Sequence, residues 1–156
     1  MHRRTLLAAP LLLAHAARAQ AAPLVVDHVW SRAAMAGRVG VVYLSITATG
    51  APDTLVSVSS PIAPKAELHE SYDDNGVMKM RPVASLTVAP GKPIVLRPGG
   101  YHIMLVDLAH ALKEGDSFPI TLHFADAGPV TVTASVEKAG ASVMPAPSAS
   151  MPGMKM

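Results

Sequence analysis

The chain has 156 residues, half of them hydrophobic and 15% charged, with a formal net charge of +2 and no cysteine. That is enough chain for one domain with its own core. It excludes a disulfide framework, a thiolate metal site and a cysteine nucleophile, and nothing in the charge balance calls for a nucleic-acid partner.

Residues 1–4 are basic and residues 6–17 mostly apolar, a run too short to span a bilayer and interrupted by Pro10 and His15. Ala17-Arg18-Ala19 and Ala19-Gln20-Ala21 both fit a small-x-small cleavage pattern. Residues 1–21 are therefore expected to be a cleaved signal peptide, which implies export without stable membrane insertion. Its removal takes away Arg3, Arg4 and Arg18 and leaves ten basic against eleven acidic residues.

The mature region reads as short extended segments punctuated by Gly and Pro, over 24–30, 40–49, 54–59, 65–72, 77–83, 85–88, 94–96, 101–108, 119–124 and 130–137. Val and Thr richness with turns at near-regular intervals predicts an all-β sandwich or barrel. Asp73-Asp74-Asn75-Gly76 carries strong hairpin chemistry, so 65–72 and 77–83 are expected to pair. One short helical turn is expected over 109–114. Residues 22–138 form the expected single domain. From Ala139 the composition turns to Pro, Ala, Ser and Met without period, which predicts a flexible tail over 139–156.

Chemistry concentrates after the turn Pro98-Gly99-Gly100. On a strand, Tyr101, Ile103 and Leu105 point one way, and His102 and Met104 the other. The first set is apolar and belongs to a core. The second aligns an imidazole and a thioether, and a thioether is a soft ligand that selects chiefly for Cu(I). Leu68 takes the core register in its strand and puts His69 on the opposite face. Met78 and Met80 share a face across the hairpin turn. If these strands adjoin, His69, Met80, His102 and Met104 converge as a neutral, soft donor set. Glu70, Asp73 and Asp74 lie near His69 as candidate acceptors for an imidazole N–H. His28, His110 and His123 have no such partner in sequence.

The spacing is His69, ten residues, Met80, twenty-one residues, then His102-x-Met104. It is identified with the H-x10-M-x21-H-x-M signature of the PCuAC copper chaperone family. The flanking words Gly76-Val-Met-Lys-Met-Arg-Pro-Val83 and Leu96-Arg-Pro-Gly-Gly-Tyr-His-Ile-Met-Leu105 agree with it. The resemblance spans roughly 24–136. It implies a single-domain, cupredoxin-like Greek-key β-sandwich in the periplasm, holding one Cu(I) per chain through His69, Met80, His102 and Met104. It also implies delivery to the copper-bearing subunit of cytochrome c oxidase together with a Sco-type thiol protein. Many relatives carry a His- and Met-rich tail that takes up a second copper. Here the tail offers Met144, Met151, Met154 and Met156 but no histidine, which leaves weak Cu(I) recruitment and an inert linker as alternatives.

The lack of cysteine argues against a blue-copper electron carrier, whose site needs a thiolate. An aromatic content of 4% argues against a sugar-binding sandwich. No nucleophile–base pair or paired carboxylates suggest an enzyme. Periplasmic copper sequestration or resistance would need the same four residues and stays open beside delivery. Both imidazoles must be neutral to bind, so affinity is expected to fall below roughly pH 6.

Overall fold

The computed structural model describes residues 24–142. The expected signal segment and the tail from residue 143 onward lie outside the described residues. Ten strands follow in order: β1 (Leu24–Arg32), β2 (Gly40–Ala48), β3 (Asp53–Ser59), β4 (Lys65–Asp74), β5 (Val77–Pro82), β6 (Leu86–Val88), β7 (Ile94–Leu96), β8 (Tyr101–Val106), β9 (Ser117–Phe124) and β10 (Gly128–Glu137). Hydrogen bonds link them along the path β5-β4-β8-β2-β1-β10-β9-β3-β6, with β7 joined to β2. All neighbours are antiparallel except β1 and β10, which run parallel.

The path curls back until β3 meets β4, where Val56 and Val58 face Ala66, Leu68 and Val83 across a narrow cleft. The result is an all-β sandwich around one core. Its centre is built from alternate strand positions such as Leu44, Ile46, Leu55, Ile103, Leu105 and Ile120, each at most 1% exposed. Period-two alternation of branched apolar residues puts one face of each strand inside.

Two turns set the geometry around β4, β5 and β8. Asn75 and Gly76 both take positive φ, 53° and 85°, as a two-residue type I′ hairpin loop requires, and the Asp73 carboxylate accepts the Gly76 N–H at 2.9 Å. Gly99, at φ 83°, lets the chain reverse between β7 and β8.

No helical turn forms over 109–114, contrary to the sequence expectation. Leu112 is buried, and its backbone exchanges hydrogen bonds with Ala34 at 3.0 and 2.8 Å, while the Ala109 N–H goes to the Ile62 carbonyl. Tertiary pairing of these groups takes the donors and acceptors a helical turn would need. The first tail residues pack on the domain. Ala141 is buried against Trp30 and Tyr43, and its carbonyl accepts from Arg32 Nε at 2.8 Å.

Candidate metal centre

The register of three strands puts the chemistry on one face. In β4–β8, His69 stands opposite His102 and Glu67 opposite Met104, while Leu68 and Ile103 pair on the core side. In β4–β5, Ser71 stands opposite Met80 and Asp73 opposite Met78. Residues 67, 69, 71 and 73 of β4 share one face by alternation. That face therefore carries His69, His102, Met104, Met80 and Met78 together. Met80 and Met104 lie diagonally from His69 on opposite sides, within reach of long side chains.

The two imidazole centroids are 6.0 Å apart with planes tilted by 37°. His102 is 4% exposed, deeper than an outward-facing strand residue needs to be. Its strand lies between β4 and β2 in the sheet. In β2, Val41 stands opposite Met104 and Val42 opposite Ile103, and the next residue, Tyr43, is buried. Tyr43 stacks on Trp30 at 4.7 Å, and Ala141 covers that pair.

Each imidazole is held by one nitrogen. His102 Nδ1 lies 3.1 Å from the Gly100 carbonyl, which can only accept, so Nδ1 carries the proton and Nε2 keeps the lone pair. His69 Nε2 lies 3.2 Å from a Glu67 carboxylate oxygen, so in the neutral ring Nδ1 keeps the lone pair. That Nδ1 is the buried side-chain polar atom without a hydrogen-bond partner among the described residues. A buried nitrogen lone pair left unmatched is costly, and a bound metal ion would satisfy it. No group of three or more His, Cys, Asp or Glu side chains among the described residues is arranged to hold a metal ion, so a metal here would need the thioethers.

Burial lowers the His102 pKa from 6.5, and the nearby His69 adds to this against the Gly100 carbonyl. The Glu67 carboxyl is lowered by its hydrogen bond from Lys65 first and from His69 second, with Lys65 Nζ at 2.7 Å.

The acceptor for the His69 ring is Glu67, not Glu70, Asp73 or Asp74. Glu70 accepts from Arg81 Nη2 at 2.6 Å, Asp73 caps the hairpin loop, and Asp74 is paired with Lys79. Alternation held the signal for Glu67, since it sits two residues before His69 on the same face. Outside this face, His28 pairs with Asp27, His110 Nδ1 lies 3.3 Å from the Ala111 carbonyl, and His123 bonds Ser59 at 3.0 Å on the β3–β9 side. Replacing Glu67 by alanine frees the His69 ring to turn. A metal ligand that loses such a carboxylate partner typically loses about 10–100-fold in affinity. A competition titration comparing Glu67→Ala with Glu67→Gln, which keeps an accepting oxygen, is expected to find most of that loss in the alanine variant.

Comparison with known proteins agrees with this architecture. The chain matches the LpqE-like family over residues 24–136. It is 31% identical over 120 residues to Lxx21020 of Leifsonia xyli, a protein named as a lipoprotein, covering 76% of this chain and 72% of that one. Among solved structures, the apo PCuAC domain of PmoF2 superposes with a TM-score of 0.63 at 26% identity, covering 78% of this chain and 94% of that domain. The Cu(I) form of DR1885 from Deinococcus radiodurans gives a TM-score of 0.53 at 29% identity, covering 78% and 83%. By sequence and by the cupredoxin-like β-sandwich it forms, the chain belongs to the LpqE-like, PCuAC-type family.

Proposed function

We propose that the protein is a periplasmic copper chaperone in which His69, Met80, His102 and Met104 hold one Cu(I). The observation that carries this reading is the pair of prepared imidazoles, each with one nitrogen tied to an acceptor and the other left as a lone pair. Their spacing suits a shared ion. A metal–nitrogen bond of about 2 Å sets each ring centre roughly 3 Å from the metal, and the centroids are 6.0 Å apart. The two thioethers on the same face complete a neutral donor set that favours Cu(I) over harder ions. Copper-bound PmoF2 and Cu(I)-DR1885, which share this fold, support the choice of cargo.

Four neutral ligands leave the bound ion with its positive charge, which favours transfer to an anionic thiolate acceptor. On that chemistry the acceptors are a Sco-type thiol protein and the copper-bearing subunit of cytochrome c oxidase. An anaerobic Cu(I) titration of the mature protein against a competing chelator tests binding, with one tight equivalent expected. Oxidase activity of a deletion strain at limiting copper separates delivery from sequestration. Activity restored by added copper supports delivery, whereas unchanged activity with increased copper sensitivity would point to sequestration.

A further inference from the structure

We propose that Met78 is a second landing point for copper, outside the four-residue site. With Met80 it would take the ion as the imidazoles let go, and so serve as the route in and out. The inference rests on the copper reading above and adds a residue to it.

The argument begins with the unevenness of the site. His102 is 4% exposed and the His69 side chain 17%, whereas Met80 and Met78 are 62% and 58% exposed. β5 is the outermost strand of the sheet path and is exposed at every residue. An ion held between the imidazoles therefore meets solvent and partner along the β5 edge, where the uncovered side chains on the site face include these two thioethers.

The hairpin is fixed so that its methionines stay there. On its other face, Arg81 pairs with Glu70 and lies 4.8 Å over the Tyr72 ring, and Lys79 pairs with Asp74. These interactions hold residues 77, 79 and 81 away from the site and keep 78 and 80 towards it. Cα atoms two apart on a strand are separated by about 7 Å. Methionine has three flexible torsions, so both sulfurs can close on one ion.

The exchange needs no electron transfer. Copper stays monovalent: its bonds to His69, His102 and Met104 break, the bond to Met80 is kept, one new Cu–S bond forms to Met78, and the freed nitrogens and sulfur regain their lone pairs. Two thioethers alone hold the ion more weakly than four ligands do, and they leave coordination positions open to an incoming ligand. A group that stabilises only this intermediate speeds loading and unloading by the same factor and leaves the equilibrium affinity unchanged.

The test compares wild type, Met78→Leu and Met80→Leu. Leucine keeps an apolar side chain on the strand, and thermal unfolding checks that each variant is folded. Equilibrium Cu(I) affinity is measured by anaerobic competition, and transfer to bathocuproine disulfonate by stopped flow. Met78→Leu is expected to keep wild-type affinity while both loading and transfer slow by about tenfold, whereas Met80→Leu weakens affinity. Transfer from Met78→Leu at the wild-type rate would overturn the proposal. So would a loss of affinity matching that of Met80→Leu, which would make Met78 a resident ligand. A wild-type protein that binds no Cu(I) tightly would defeat the copper reading itself, before any rate is compared.

Discussion

His102→Ala is expected to weaken Cu(I) binding by more than about 100-fold, since even the outer partners of metal ligands are worth about 10–100-fold. The substitution removes the nitrogen lone pair that the Gly100 carbonyl fixes in place. It also leaves His69 Nδ1 buried without any partner. The sandwich itself should survive, because the core packing of β8 is made by the residues on either side of His102. The Gly100 carbonyl still accepts the Ser71 N–H at 2.9 Å, so losing its second donor costs only about 1 kcal/mol of stability. Competition titration and thermal unfolding of the same sample separate the two effects. An unchanged affinity would remove the imidazole pair from the account.

The same residue sets a pH dependence. Burial lowers the His102 pKa from 6.5, so the ring stays neutral and able to bind metal somewhat below the pH at which a free imidazole would charge. Affinity governed by this ring is expected to be flat from pH 8 to about 6.5 and to fall only at lower pH. The apo protein follows in stability. A depressed folded-state pKa means that the unfolded chain takes up the proton first as the pH falls. The contribution is therefore complete above about 6.5 and is lost as the pH drops towards the folded-state value. A urea midpoint for the apo protein that rises between pH 6.5 and 5 would contradict this.

One residue further along β8, the outcome reverses. Ile103 is fully buried and stands opposite Leu68 and Val42. Ile103→Ala is expected to destabilise the fold by about 3 kcal/mol, the usual cost of a well-packed core truncation. That should lower the melting temperature by roughly 10 °C for a domain of this size. At low temperature, where the variant is still folded, Cu(I) affinity should stay near wild type, since the side chain points away from the imidazoles. Circular dichroism melts paired with a titration at 10 °C check both halves. A variant that melts normally but cannot hold copper would break the two-face assignment.

Adjacent residues with opposite roles are what strand alternation makes readable, and this explains which parts of the molecule were legible in the sequence. The alternation of 101–105, the positive-φ loop at Asn75-Gly76 and the strand segments could be read because each depends on local backbone chemistry. The expected helical turn over 109–114 failed because Leu112 answers to Ala34, nearly eighty residues earlier, and no local pattern records that pairing. The burial of His102 was hidden for the same reason. It comes with the placing of β8 between β4 and β2, strands that meet only in the folded chain. Alternation puts Glu67 on the His69 face and Glu70 and Asp74 on the other, but it leaves Asp73 on the same face as Glu67. The engagement of Glu70, Asp73 and Asp74 with Arg81, Gly76 and Lys79 emerges only with side-chain geometry.

The parallel pairing of β1 with β10 has a consequence for assembly. Trp30 and Ser135 are neighbours there, and this seam is the hydrogen-bonded joint between β5-β4-β8-β2-β1 on one side and β10-β9-β3-β6 on the other. A nascent chain cannot zip the two halves together until β10 emerges, so early segments must wait with their edges unsatisfied. Pairings so distant along the chain make for slow closure.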